Sequence, residues 1–519
     1  MTLGVSLDDR TPVLIGVGEA SERIADPGYA ALSPMDLAGA AARAALADAG
    51  ASQPLAPRID VIAAIRQFEI STPGAVAPFG HAENPPRAIA RRIGADPERA
   101  ILEVTGGQGP QHLVNEFAHL IARGEARMVL LAGAEAISTV RHLTSRGETR
   151  DWSEPEPETS TLEDRGFGLE GLITRDLIRH GAVAPLTLYA LFENARRGRL
   201  GLDRETYRRE MAALFAPFTA VAAANPHAMS RETLSIDEIA TITAQNRLTC
   251  DPFPRRVVSR DQANQAAAVL MTSVGEARVL GVPQDRWVLL HGGADVAERT
   301  VLQRADLGAS PAAVLAVNAA LDAAETPLDA VDLLDLYRCF PVAFFTLCDG
   351  LGLAPDDPRG LTQAGGLPFF GGAGNDYSMH AIASLVRSLR ARPGAKGLIS
   401  ANGGYLSKTS VGVYSTTPKP WTGFDSAPVQ REVDALPSPP CVSTFDGSAK
   451  IETYTVDHSA DPPRAVVVAR TPAGERFVAA TRRDDPSTAQ AMIETEPLGA
   501  RISVRSGEDG RNAVVGIDA

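Results

Sequence analysis

Residues 103–136, EVTGGQGPQHLVNEFAHLIARGEARMVLLAGAEA, hold the end of a strand, a tight turn, a helix and a second strand in 34 residues. Gly106, Gly107 and Gly109 form the turn, where a backbone can take positive φ or approach a ligand closely. Pro110 suits a first helical turn, and Leu113, Phe117, Leu120 and Ile121 recur at helical spacing. Gly124 ends the helix, and Met128 to Leu131 is an apolar strand. A tight loop at a helix N-terminus of this kind holds an anion, an oxyanion or a nucleophile.

Upstream, Pro12 to Val17 reads as a strand, Ser33-Pro34 caps a helix of small residues running to about Ala49, and Ile59 to Ile65 returns as a strand. A short helix, Pro86 to Ile93, leads into the opening unit. Beyond Ala136 the alternation breaks. An acidic, proline-bearing loop (Glu154 to Glu158) and helices around Leu186 to Arg197 and Arg204 to Phe215 read as an insertion. Its Arg196, Arg197 and Arg199 offer either a phosphate contact or a solvated helical face.

After Gln262 the α/β rhythm resumes, and it repeats the first part. Ser310-Pro311 caps a second helix of small residues, and a strand with a Val331-Asp332 step matches one with Asp60-Val61. A glycine-rich turn (Gly365 to Gly374), a helix (Tyr377 to Leu389) and an apolar strand (Gly397 to Ala401) follow. Two copies of one α/β unit indicate an internal duplication, with a cleft between the halves.

From about Thr416 a proline-rich connector leads to five short strand candidates: Ile451 to Val456, Ala465 to Ala469, Arg476 to Thr481, Arg501 to Val504 and Ala513 to Ile517. They predict a small β-barrel or OB-like domain, in a structural or docking role. The divisions are 1–136 (first half), 137–245 (insertion), 246–292 (completion of the first half), 293–415 (second half), 416–440 (connector) and 441–519 (β domain).

The 519 residues are 44% hydrophobic and 22% charged, with a formal net charge of −13, which argues against a nucleic-acid or anionic-membrane partner. There is no run of about eighteen apolar residues and no basic, then apolar, leader, so a cytoplasmic protein without membrane insertion is expected. Cys250, Cys339, Cys348 and Cys441 lack metal-ligand spacing and read as free thiols.

In the order of these motifs, residues 10–415 resemble the thiolase superfamily, especially the sterol-carrier-protein-type thiolases, and the tail fits thiolase-like proteins that carry an additional C-terminal domain. The resemblance implies a five-layered α-β-α-β-α fold of two βαβαβαββ halves with an inserted loop domain. It also implies coenzyme A or an acyl-CoA as ligand or substrate, no tightly bound cofactor, and a monomer or homodimer with a possible protein partner at the β domain.

Thiolase chemistry uses a cysteine at a helix N-terminus, in a motif close to Cys-Gly-Ser-Gly-x-Gln. Here the run is Gly106-Gly107-Gln108-Gly109-Pro110-Gln111, with Gly106 at the cysteine position. The family's Gly-His-Pro histidine falls on Gly372, and His380 beyond it reads as a helix-surface or core residue. The second cysteine, before a glycine turn, falls on Ser400 or Ala401 of Ser400-Ala401-Asn402-Gly403-Gly404. The His-Asp-Cys-Phe motif becomes Tyr337-Arg338-Cys339-Phe340, so Tyr337 is a candidate acid, base or hydrogen-bond donor, and Cys339 takes a position that is not catalytic in the family.

Without a nucleophile the acyl-enzyme intermediate is lost, so standard thiolysis or Claisen condensation is not expected. The expected function is binding of coenzyme A or an acyl-CoA. One alternative is a retro-aldolase acting on a β-hydroxyacyl-CoA through Tyr337, Tyr377 or Tyr405. The other is a non-catalytic acyl-CoA-binding scaffold in lipid or steroid metabolism.

Overall fold

Buried along most of its length, β1 (Pro12–Ser21) lies near the middle of a ten-stranded sheet. The computed structural model describes residues 7–337 and 339–518. One side of the sheet holds β1, β2 (Val61–Ala64), β3 (Arg99–Leu102), β4 (Met128–Ala136), β5 (Glu163–Asp164) and β6 (Asn264–Ser273). The other holds β7 (Val288–Ala297), β8 (Leu333–Asp335), β9 (Lys396–Gly403) and β10 (Lys408–Ser415).

The strand order is β5-β3-β2-β4-β6-β1-β7-β10-β9-β8. Read outward from β1 and β7, the two sides run β1-β6-β4-β2 and β7-β10-β9-β8, so each half places its first strand beside its last and its second strand outermost of the four. This mirrored order is the duplication expected from the repeated motifs. Within the sheet the halves join where β1 pairs with β7, Val13 opposite Leu289 and Leu14 opposite Val288.

Alternation along the strands divides the core. Leu14 and Val17 of β1 join the core between the halves, whereas Val13 and Ile15 join a second core under the Pro34–Asp48 helix. Two helices, Gly109–Arg123 and Tyr377–Ala391, pack against each other and against strands of both halves. Pro34–Asp48 and Pro311–Ala323 cover the outer faces, completing an α-β-α-β-α stack. Ser33 caps its helix in a capping box with Asp36, but Ser310, at the equivalent place, makes no capping hydrogen bond.

In the insertion the helices extend beyond the expected ranges, to Pro185–Leu200 and Arg204–Ala224, and the second runs through Pro217. The short β5 pairs in parallel with β3. All five C-terminal strand candidates form strands: β11 (Gly447–Asp457), β12 (Arg464–Arg470), β13 (Arg476–Thr481), β14 (Arg501–Ser506) and β15 (Asn512–Asp518). They close into a barrel of order β11-β12-β13-β15-β14, with a helix, Ser487–Glu494, that the periodicity did not predict.

Buried arginines fasten the barrel to the rest of the chain. Arg476 of β13 is fully buried, pairs with Glu452, and donates to the carbonyls of Leu302 (2.8 Å), Arg304 and Ala305 (3.2 Å). From the insertion, Arg197 forms two hydrogen bonds with Glu496, and Arg204 donates to the carbonyls of Met492 and Ile493. Removing Arg476 leaves the carbonyls of Leu302, Arg304 and Ala305 without this donor and Glu452 with Arg470 alone. Arg476→Met is therefore expected to cost about 3–5 kcal/mol in urea unfolding and to speed proteolysis of the connector around residues 435–446. Unchanged stability and unchanged cleavage would show that the barrel is held by its apolar contacts alone.

Glu193 of the Pro185–Leu200 helix is wholly buried; its carboxyl accepts from the Tyr207 hydroxyl (2.5 Å) and the Val342 amide (2.7 Å). Burial pushes this carboxyl up to about 8, against which the two hydrogen bonds work. The folded chain then holds a proton that the unfolded chain releases above the ordinary glutamate value. The associated stability is full below pH 4.5 and is lost as pH rises through 8. Glu193→Gln is expected to match the parent melting temperature near pH 5 and exceed it at pH 8.5. Parallel curves for the two proteins would contradict this assignment.

Candidate active site

The turn after β3 meets the N-terminus of the Tyr377–Ala391 helix, and side-chain hydrogen bonds join them. Gly106, at φ 143°, donates its amide to Asn375 Oδ1 (3.0 Å). Asn375 Nδ2 donates in turn to the Arg66 carbonyl (2.8 Å) and to Ser71 Oγ (2.9 Å). Ser378 Oγ donates to the Gly107 carbonyl (2.6 Å). Gln111 does not face the turn. It accepts from the Tyr414 hydroxyl (2.7 Å) and donates to Asn115 (2.9 Å), tying its helix to β10.

Tyr337 follows β8, is 5% exposed, and lies against Gly107, where an added Cβ would come within 2.7 Å of Tyr337 Cζ and 2.8 Å of the Asn402 carbonyl. Its ring lies 4.9 Å from that of Tyr377, whose hydroxyl accepts from the Gly366 amide (2.9 Å). Arg338, in the same motif, lies outside the described residues. Cys339 is partly buried, in polar contact with the Tyr189 hydroxyl.

Tyr189 is the center of this cluster. Its hydroxyl donates to the Gly404 carbonyl (3.1 Å) and accepts from Asn402 Nδ2 (2.8 Å), and its ring stacks on Phe340 at 4.5 Å. Burial, with Cys339 adding to it, pushes the Tyr189 hydroxyl well above its usual range, and burial does the same to Tyr377. Both phenols are protonated at neutral pH, so they act as hydrogen-bonding groups and not as bases.

The Gln108 side chain folds back over Gly106 and toward Gly403. A Cβ built on Gly403 would overlap its Oε1 and lie 2.8 Å from its Cδ; one built on Gly106 would also overlap Oε1, with Cδ at 3.0 Å. Gln108 is 5% exposed, and no donor among the described residues reaches its Oε1. Asn402 Oδ1, in a residue 2% exposed, is likewise without a donor. Part of the insertion covers the cluster. The Thr105 amide donates to the Phe167 carbonyl, Lys408 Nζ to those of Gly168 (2.6 Å) and Thr105 (3.1 Å), and Leu172 packs near Gly404.

Most of the sequence candidates converge here: Gly106, Gly107, Gln108, Tyr337, Cys339, Asn402, Gly403 and Gly404. Ser400 lies buried on β9 opposite Val411. Gly372 donates to the Arg260 carbonyl (2.7 Å), with Ser259 beside it. Tyr405 reaches the Val183 carbonyl (2.9 Å). His380 is a core residue, fully buried and hydrogen-bonded to Glu19 at 2.6 Å.

The three candidate arginines of the insertion are each engaged by carboxylates. Arg196 forms a two-bonded pair with Asp349 (both 2.8 Å), Arg197 binds Glu496, and Arg199 bridges Asp306 and Asp349. Reading the sequence missed Tyr189 and Asn375. Tyr189 sits in an unremarkable helical stretch, whereas the polar pair Asn375-Asp376 after the glycines was a visible helix-start signal. Among the described residues, no group of three or more His, Cys, Asp or Glu side chains is placed to hold a metal, and no helix is long and apolar enough to cross a membrane.

No curated protein matches the chain. Residues 428–510 match the thiolase-like protein type 1 additional C-terminal domain. Two solved structures share the fold at low identity. One is an Ltp2-ChsH2(DUF35) aldolase (18% identical, TM-score 0.57, covering 80% of this chain and 100% of that one). The other is the dimeric peroxisomal thiolase of Saccharomyces cerevisiae (13%, TM-score 0.55, 79% and 98%). A monomeric SCP2-thiolase-like protein type 1 from Mycobacterium smegmatis is 45% identical, with a TM-score of 0.84, over 98% of this chain and 100% of that one. Full-length identity at that level, together with the matched C-terminal domain, places this chain in the family of SCP2-thiolase-like proteins of type 1.

Proposed function

We propose that this chain binds coenzyme A or an acyl-CoA in the cleft between its halves and does not carry out thiolysis. The observation that carries the reading is at the turn itself: Gly106 offers no side chain, and the space beside it is taken by the Gln108 carboxamide. An acyl-enzyme needs a thiolate or an equivalent nucleophile at that point. The groups gathered there, among them the unpartnered Oδ1 of Asn402, suit holding a polar ligand group, but they do not attack a carbonyl. The relative named as monomeric supports a monomer in this chain as well.

The expected result in calorimetry is saturable binding of coenzyme A or acetoacetyl-CoA, without loss of the enolate absorbance when both are supplied. Thiolysis by the parent would overturn the non-thiolytic reading, and thiolysis that persists after Cys339→Ala and Cys348→Ala would show in addition that no thiol is needed. Absence of any heat or thermal shift at saturating ligand would overturn the binding.

A second reading, aldol cleavage of a β-hydroxyacyl-CoA, is favoured by the buried cluster of Tyr189, Tyr337 and Tyr377 and by the fold shared with an aldolase. In that reaction Tyr337 is the candidate base that takes the β-hydroxyl proton; the oxygen's electrons form the carbonyl of the released product as the Cα–Cβ bond breaks, and that bond's electron pair passes to the thioester enolate, which is then protonated. No covalent enzyme intermediate is required. If it operates, Tyr337→Phe is expected to lower kcat by about 10²–10⁴-fold, the usual contribution of a positioned acid or base. Unchanged cleavage would remove Tyr337 from the mechanism.

A further inference from the structure

The Gln108 side chain fills the space between two glycine turns. Its carboxamide lies against Gly106 on one side and Gly403 on the other, so closely that neither residue has room for a Cβ. The crowding does not depend on which way the amide is turned, since Cδ is 2.8 Å from a Cβ built on Gly403 and 3.0 Å from one built on Gly106. Such close packing would normally accompany hydrogen bonds, because a buried amide oxygen without a donor is unfavourable. Here Oε1 has none among the described residues, and Asn402 Oδ1, on the strand that carries Gly403, is also without one.

We propose that Gln108 is an internal plug, whose carboxamide occupies the place of the ligand's thioester carbonyl and swings out when an acyl-CoA binds. This rests on the acyl-CoA reading of the cleft and adds how the site is kept closed. A planar carbonyl group on a flexible three-bond stem has the shape of the group it excludes. The lack of a hydrogen bond to Oε1 means that little holds it in place beyond packing. Displacement by a thioester moves the amide to where water or a backbone donor satisfies it, and the unpartnered Oδ1 of Asn402 then meets a hydroxyl or amide donor on the ligand.

The geometry makes two independent tests possible. For occupancy, Gly403→Ala is the probe, because Gly403, unlike Gly106, is not held in the positive-φ region, so the obstacle to a Cβ is chiefly Gln108. Gly403→Ala is expected to lower the melting temperature of the parent and to cost much less in a Gln108→Ala background. Equal costs in the two backgrounds would overturn the plug whatever the ligand is. For displacement, the probe is acetoacetyl-CoA. If the plug leaves the site open about a tenth of the time, removing it tightens apparent binding about tenfold. Gln108→Ala is expected to show that gain, and Gln108→Glu, which keeps the length and adds charge, is not. Binding that is equal in parent and Gln108→Ala would overturn displacement. If neither protein binds acetoacetyl-CoA while Gly403→Ala and Gln108→Ala are coupled, the displacement claim and the acyl-CoA reading fall, and the occupancy result stands.

Discussion

Two alanine-rich helices lie directly on strand glycines, and the spacing this sets governs the layers beneath. A Cβ on Gly16 or Gly18 of β1 would overlap the carbonyls of Ala45 and Ala41, and one on Gly292 of β7 would overlap the Ala320 carbonyl. The contact is therefore made in the same way in both halves, on the two strands that meet at the center of the sheet. Any larger side chain would lift the helix and leave a gap that neighbouring atoms cannot fill. This explains why both Ser-Pro helices are built of small residues. Their role is to come close to the sheet and not to fill a wide space.

Much of the fold was legible because the repeated motifs carry backbone requirements. The glycine turns, the small-residue helices and the strand after each were readable in both halves, and the mirrored strand order follows from them. The barrel strands were readable from alternation and turn residues. Long-range chemistry was less legible. Tyr189 reaches the site from the insertion through contacts with Asn402 and Gly404, more than 200 positions away, and no local pattern marks it. The arginine run Arg196, Arg197 and Arg199 is informative as charge, but only the fold shows that Asp306, Asp349 and Glu496 have taken it up. The glycine at position 106 was visible in the sequence, whereas the filling of the space beside it by Gln108 was not, since a side chain's direction is set by the packing around it.

Behind the site, ionisable groups are buried in two different ways. Glu19 is held ionised, to about 2, because the His380 hydrogen bond and charge and the Arg387 charge outweigh the effect of burial. Burial pushes the carboxyls of Glu135 and Asp376 well up, although His380 Nε2 lies 4.0 Å from Asp376 Oδ2. The helix that begins at Tyr377 thus rests beside carboxyls shifted in opposite directions, Glu19 down through its ion pairs and Glu135 and Asp376 up through burial. Each keeps one oxygen without a hydrogen-bond donor among the described residues, Glu135 Oε2 and Asp376 Oδ1. The region is correspondingly sensitive to small changes in volume: a Cβ on Gly133 or Gly374 would strike Asp376 or Glu135.

The two-residue strand β5 bears on self-association. It occupies the flank of β3 with Glu163 and Asp164, both exposed, and Arg99 and Arg66 anchor these acids from within the chain. A strand from another molecule seeking the free edge of the sheet would first meet carboxylates and a pairing that is only two residues long. Short, charged edge strands are a common defence against edge-to-edge aggregation. The same residues that complete the sheet therefore protect it from indiscriminate pairing, and replacing them with apolar side chains would trade colloidal stability for a stickier edge.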